Sequence, residues 1–435
     1  MEKRRWIKNF TELAKNPART IALQLAEVAL ESIETRGVIR RAVTFNQSEI
    51  KINEIIIPLE NQGRIFVVGI GKCSLEGALE LEAILGERIT AGIIIDVARR
   101  TPLKRIQFYL GDHPFPTANN INATRAIIEL LAQVNQDDLV IFIISGGGSA
   151  FLCQPKNHTC LEEVMVTKTL FRHGATIKDL NIVRKHLSLA RGGYLAKYAY
   201  PARVVSLIFS DVPGNDLGTI ASGPTILDQT TIADAKKVIG ECDNDDDCNL
   251  ILEQLIETPK EPKYFERVSN ILLLTNETAL QAMADLASTL GLMPTIKNLE
   301  LAGEARAVGE QIAREISAAP TGSVYLYGGE TTVTIRGPGK GGRNQELALG
   351  ALSHLLAGEC ILSFASDGMD NNSDHAGALC DIITSERARA VGLDPLVALD
   401  QNDSYSFFAS VGDYLGTGYT GANISDLIIA LKLKT

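Results

Sequence analysis

Short apolar runs punctuate the chain: RIFVVGIG (64–71), AGIIID (91–96), LVIFII (139–144), RVVSLIFSD (203–211), NILLLT (270–275), SVYLYGG (323–329) and CILSFASD (360–367). Each is nearly continuous and rich in β-branched residues, and the segments between them carry apolar residues at three- and four-residue steps. Strands apolar on both faces, separated by amphipathic helices, are what a parallel sheet covered on both sides requires. The pattern predicts an α/β fold with mostly parallel sheets covered by helices. Helical periodicity also opens the chain over residues 11–36, interrupted near Pro17, where the ring removes an interior donor. The rhythm breaks at the acidic, apolar-poor ECDNDDDCN (241–249) and the proline-bearing ETPKEPKYFE (257–266). The domain boundary is placed there, giving an N-terminal domain over 1–240 and a C-terminal domain over 241–435.

Length agrees with two domains, since 435 residues exceed the size at which a single core keeps growing. A formal net charge of -10, with no run of Lys and Arg, excludes long-range attraction of nucleic acid or anionic lipid. No stretch has the form of a signal peptide or a membrane span, so the chain reads as cytoplasmic. The 7 cysteines (73, 153, 160, 242, 248, 360 and 380) form no C-x-x-C pair and read as reduced, buried thiols.

In open α/β sheets ligands bind beyond the carboxyl ends of the strands. Four glycine-bearing segments fall there or close by: Gly69-Ile70-Gly71-Lys72-Cys73-Ser74, Ser145-Gly146-Gly147-Gly148-Ser149, Gly328-Gly329-Glu330-Thr331-Thr332, and Gly337 to Glu346, which holds Lys340, Gly342, Arg343 and Asn344. Bare backbone lets amides converge on an anion, and a following helix N-terminus adds positive dipole. A lone glycine loop is more often a structural turn; four loops, two of them carrying Lys72 and Arg343, favour anion binding. The usual nucleotide fingerprints are incomplete: Phe66 and Cys73 break a P-loop, and Ser74 replaces the third glycine of a dinucleotide motif. Asp211 and Asp367 each end an apolar run, where a carboxylate holds Mg²⁺ against phosphate or accepts a hydroxyl proton; the competing reading is a turn cap. Asp370 and Asp374 read as turn caps, and His113 as part of a rigid proline turn. Arg184, Lys185, His186 and Arg191 read either as a solvated helix face or as a clamp for a carboxylate.

The ordered set GIGKCS, GDHPFP, ISGGGSAF, NIVRKHLSLARGG, SDVPGNDLGTIASGPT, GGETTVTIRGPGKGGRNQELAL, ASDGMDNNSDHAGA and TGYTGANISDLIIAL resembles the glycerate 2-kinase family, from about residue 10 to about residue 430. The resemblance implies a Rossmann-like N-terminal domain, a MOFRL-type C-terminal domain and an active site in the cleft between them. It implies ATP- and Mg²⁺-dependent phosphorylation of D-glycerate at its 2-hydroxyl, with D-glycerate and ATP as partners and the oligomeric state left open, a homodimer included. Lys72 and Arg343 match the family's catalytic lysine and arginine. Asp211 joins them as general base. Ser145, Gly146, Gly147, Gly148, Ser149, Arg184, Lys185 and Arg191 are assigned to the acceptor, and Gly69, Gly71, Gly329, Glu330, Thr331, Lys340, Gly342 and Asn344 to the nucleotide. Asp211, Asp216 and Asp367 are the metal candidates. The chain departs from the family where Gly-Asp-Asp becomes Gly214-Asn215-Asp216, where Asn371 replaces a glycine, at Thr117, and at Arg191, which keeps the charge of the usual lysine. Two rival readings are an NAD(P)H-dependent hydroxypyruvate reductase and a non-catalytic module that binds sugar phosphates.

Overall fold

The computed structural model describes residues 5–59, 63–97, 102–240, 251–371 and 373–434. The chain divides into two compact units, one of Thr35–Leu274 and one of the chain up to Glu34 together with Thr275–Thr435.

In the first unit, β1 (Val43–Phe45), β2 (Glu49–Ile52) and β3 (Ile55–Pro58) form a small antiparallel sheet. Six further strands, β4 (Ile65–Ile70), β5 (Ile89–Asp96), β6 (Ile106–Leu110), β7 (Leu139–Ile144), β8 (Arg203–Phe209) and β9 (Val268–Leu274), lie in the order β6-β5-β4-β7-β8-β9, every pair parallel. This is the doubly wound order, with the first strand in the middle. The apolar runs 64–71 and 139–144 thus become β4 and β7, buried along their whole length. Phe66, Val68, Val140 and Phe142 pack with Ile127 and Leu131 of the helix Ala118–Leu131. Strand order reverses between β4 and β7, so the crevice at their carboxyl ends is where such a sheet takes a ligand.

In the second unit, β10 (Met293–Leu301), β11 (Ser323–Gly329), β12 (Glu359–Ala365), β13 (Gly377–Asp381), β14 (Tyr414–Leu415) and β15 (Asp426–Lys432) lie in the order β10-β11-β15-β12-β13-β14. Only the β10–β11 pair is parallel here, which departs from the expectation of mostly parallel sheets. The reason lies in the connections. β13 follows β12 without an intervening helix, and such a short return supports only an antiparallel pair. A strand buried on both faces is apolar throughout whichever way it runs, so the pattern could not give direction.

The division also differs from 240/241. It falls after Leu274 because β9 pairs with β8 and completes the parallel sheet. The stretch 241–249 lies outside the described residues, and so do Cys242 and Cys248. The opening helix belongs with the second unit. It starts at Pro17, with Asn16 Oδ1 accepting the Arg19 amide at 2.8 Å, which is the interruption the proline announced. Arg19 is fully buried and donates through Nε and Nη2 to Asp381 and through Nη1 to Asp413. Cys153 and Cys160 form a disulfide, against the reading of reduced thiols, whereas Cys73, Cys360 and Cys380 are free and buried. Among the described residues no helix is long and apolar enough to cross a membrane.

Candidate active site

At the crevice of the parallel sheet, the loops after β4 and β7 are laced together. Gly71 has φ +122°, and a Cβ there would fall on the Ser145 hydroxyl, so the loop needs glycine for both conformation and space. Every amide from 71 to 75 is used internally: Gly71 donates to Ile95 O, Lys72 to Gly146 O, Cys73 to Ser145 Oγ, Ser74 to Gly71 O and Leu75 to Asp96 Oδ2. The amides of residues 71–75 are thus all engaged within the protein, Gly69 lies inside β4, and Gly71 shapes the crevice. Asp96 sits at the second-strand position where a dinucleotide fold keeps its ribose carboxylate. Here it is buried and accepts from Leu75 N and Val97 N, at the N-terminus of the helix Ser74–Leu85. The helix start that would take a pyrophosphate is therefore already filled by an anion of the protein itself.

The glycine loop after β7 is the opposite case. Among the described residues, the amides of Gly146, Gly147 and Ser149 have no hydrogen-bond partner, while Gly148 N donates to Ser145 O. Three open amides on a bare loop form a nest for an anion. The Ser149 hydroxyl lies 2.8 Å from that of Ser222, which donates to Asn181 Oδ1 at 2.6 Å. Ala221 and Ser222 hold left-handed conformations, φ +52° and +58°, unusual for residues with a Cβ and typical of backbone shaped around a site. His113, preceding a cis proline, borders this loop: a Cβ on Gly147 would lie 3.2 Å from its ring.

The basic cluster separates into different roles. Arg191 is fully buried and donates to Glu163 Oε1 at 2.6 Å, so it serves the core of this unit. Lys185 pairs with buried Asp228 at 3.2 Å, on the wall of a cavity of about 360 Å³ that Asp216 also lines. Arg184 differs from both. Its half-buried guanidinium bonds to no described residue, and the carboxylate that acts on it, Glu163, is already engaged by Arg191. Desolvation and the neighbouring Arg191 charge lower its pKa to about 10. Asp211, half-buried just past β8, acts electrostatically on the Cys73 thiol beside Lys72, whose pKa burial pushes up to about 12. Asp216 is absorbed by its own turn, accepting from Gly218 N at 3.0 Å and Thr219 Oγ1 at 2.7 Å.

In the second unit a cavity of about 530 Å³ is lined by Thr331, Lys340, Gly342 and Arg343 among the predicted residues, and by Val333 and Ile335. The segment 336–340 is pinned by Asn402, which accepts from Arg336 N and Gly337 N, and by Asp403, which accepts from Lys340 N. Lys340 Nζ lies 3.8 Å from the centre of the Tyr405 ring. Arg343 forms an ion pair with Glu330 at 3.0 Å and donates to both oxygens of Asp426, and this pairing raises its pKa. Asp370 does not cap its own turn. Its buried carboxylate accepts from Asn344 N at 3.0 Å and Gln345 N at 2.9 Å, at the start of the helix Arg343–Leu352. A Cβ on Gly342 would overlap that carboxylate, which accounts for the glycine. Burial pushes Asp370 up to about 6. Asn344 faces inward between Asp370 and Ser363 and is shielded from the cavity. Asp367 accepts from Met369 N at 3.0 Å, and exposed Asp374 accepts from Tyr405 Oη.

Over residues 21–257 the chain matches the domain of unknown function DUF4147, and over 323–426 the MOFRL family. It is 36% identical over 387 residues to a D-glycerate 2-kinase of Thermotoga maritima, spanning 86% of this chain and 92% of that protein. A putative hydroxypyruvate reductase of Agrobacterium vitis is 38% identical over 386 residues, spanning 85% and 88%. The crystal structure of glycerate kinase from Thermotoga maritima superposes with a TM-score of 0.82 at 32% identity, over 95% of this chain and 99% of that one.

The chain belongs to the glycerate kinase family.

Within this member of the glycerate kinase family, sequence reasoning missed Asp426, Asp96 and Glu163 and gave Asp370 a different role, the cap of its own turn. Each acts by pairing with a residue far away in the chain. Asp426 and Asp96 left a trace, as acids at the edges of apolar runs. Among the described residues, no three His, Cys, Asp or Glu side chains gather as a metal-binding group.

Proposed function

We propose that the chain transfers the γ-phosphoryl group of ATP to the 2-hydroxyl of D-glycerate, giving 2-phosphoglycerate. The observation that carries this reading is Arg184, a desolvated cation without an ion-pair partner among the described residues, on the helix Ile177–Lys185 whose Asn181 is linked through Ser222 to Ser149 of the loop with three open amides. A guanidinium in that state is costly unless a ligand brings the missing anion. The glycerate carboxylate fits this need, with the amides of Gly146, Gly147 and Ser149 receiving oxygens of the acceptor. The cavity beside Lys340 and Arg343 takes the nucleotide, its apolar Val333 and Ile335 against the base. Lys72 and Arg343 stabilise charge on the transferring group when donor and acceptor meet, and Asp211 accepts the hydroxyl proton. Asp211 and Asp367 are the carboxylates near strand ends that would hold Mg²⁺, Asp367 with one oxygen accepting from Met369 N, whereas both oxygens of Asp216 are engaged by its turn. Kinase sites hold this ion with one or two carboxylates plus phosphate oxygens and need no three-acid cluster. When bound, Mg²⁺ supplies charge neutralisation to the phosphates.

The reductase reading is disfavoured by the filled helix start behind Gly71 and by buried Asp96. The test is a pair of assays on the full chain. ATP consumption dependent on D-glycerate, with no NADH oxidation on hydroxypyruvate, supports the kinase; the reverse overturns it, and binding without turnover of either favours a non-catalytic module.

A further inference from the structure

Building on the phosphotransfer role proposed for Arg343, we infer that Asp426 is a positioning residue that aims its guanidinium. Asp426 is the first residue of β15, opposite Gly329 at the end of β11 and Ala365 at the end of β12. It therefore stands where the Gly-Gly-Glu-Thr and Ala-Ser-Asp-Gly segments both leave the sheet. Its side chain is 3% exposed, and Arg343 donates to it side-on, through Nε to Oδ2 and through Nη2 to Oδ1 at 3.1 Å. Glu330, 40% exposed, forms an ion pair with Nη2 at 3.0 Å. Among the described residues Nη1 has no partner, and Arg343 lines the cavity.

A guanidinium gripped along one edge by a buried carboxylate presents its other edge in a fixed direction. By charge alone, a carboxylate beside an anion site opposes binding, so what it contributes there is geometry. Fixed direction matters most for charge that develops in the transition state, where a group already aimed needs no reorganisation. Substrate binding depends on it less. The loss on removing Asp426 should accordingly appear in kcat rather than in KM for ATP.

The experiment compares wild type, Asp426→Asn, Arg343→Ala and the double variant. Asp426→Asn is expected to lower kcat by roughly 10²-fold, the scale of a misplacement of about 1 Å, with KM for ATP changed far less. In the Arg343→Ala background the same change should cost nothing further, because Asp426 acts through Arg343. In parallel, the Arg343 Nε–H proton, assigned by its absence in Arg343→Lys, should exchange slowly in wild type and rapidly in Asp426→Asn. Additive losses in the double variant, or an equally protected Nε–H in Asp426→Asn, would overturn the inference. If wild type transfers no phosphoryl group to D-glycerate, the functional reading fails, and the Nε–H comparison still decides the positioning. Should Asp426→Asn not fold, Asp426→Glu serves: a kcat loss at unchanged thermal stability supports the role, and an unchanged kcat removes it.

Discussion

Arg184 leads to a prediction that runs against the usual effect of removing a charged side chain. Burial and the Arg191 charge lower its pKa from the ordinary guanidinium value to about 10, which corresponds to about 3 kcal/mol disfavouring the charged form in the unliganded protein. Replacing it by Met keeps an unbranched apolar stem and removes the uncompensated charge. Imperfect packing of the new thioether offsets part of the gain. The expected outcome for Arg184→Met is an unliganded protein more stable than wild type by about 1–2 kcal/mol, read from chemical unfolding with an unchanged m-value. D-glycerate should then raise the melting temperature of wild type and leave that of the variant unmoved, since a ligand stabilises only the state that binds it. An Arg184→Met protein that is destabilised by several kcal/mol, or that still gains stability from D-glycerate, would refute the reasoning about this cation.

Three other expectations follow from the same geometry. Gly342→Ala should displace Asp370 from the amides of Asn344 and Gln345, costing about 2–4 kcal/mol and speeding amide exchange at the start of the helix Arg343–Leu352; unchanged exchange there would count against the contact. Asp370 is raised to about 6 in the fold, above its unfolded value, so the folded state binds the extra proton and the contribution of this group to stability declines as pH rises from about 4 to about 6. That slope should be missing from unfolding curves of Asp370→Asn. Lys72→Ala should lower turnover by roughly 10³-fold with the fold intact, as measured by steady-state kinetics and circular dichroism.

Local chemistry made part of this legible. The continuous apolar runs mark the strands because burial on both faces leaves no polar position, and glycine at strand ends marks the loops. Pro17 marked an interruption in the helical pattern of 11–36, and the first long helix starts there. The partners were hidden. Nothing near Arg191 in the sequence says that Glu163 neutralises it, or that Lys185 meets Asp228, so the basic residues of the cluster looked equivalent, although Arg184 has no ion-pair partner among the described residues. The loop holding Gly71 read as an anion cradle, yet its amides are consumed by Ile95, Gly146 and Asp96. Asp370 stood in an Asp-rich turn and read as its own cap, while its carboxylate reaches a helix that starts 27 residues earlier, at Arg343. Strand direction in the second unit and the membership of the opening helix are likewise set by pairing, which a one-dimensional pattern does not carry.

The most direct measurement of the central claim is the phosphorus NMR spectrum of the product formed from ATP and D-glycerate, recorded with proton coupling. Phosphate on the 2-oxygen neighbours one carbon-bound proton and gives a doublet, which is the predicted result. A triplet, from phosphate on the 3-oxygen, or the absence of any phosphate ester, would contradict the account.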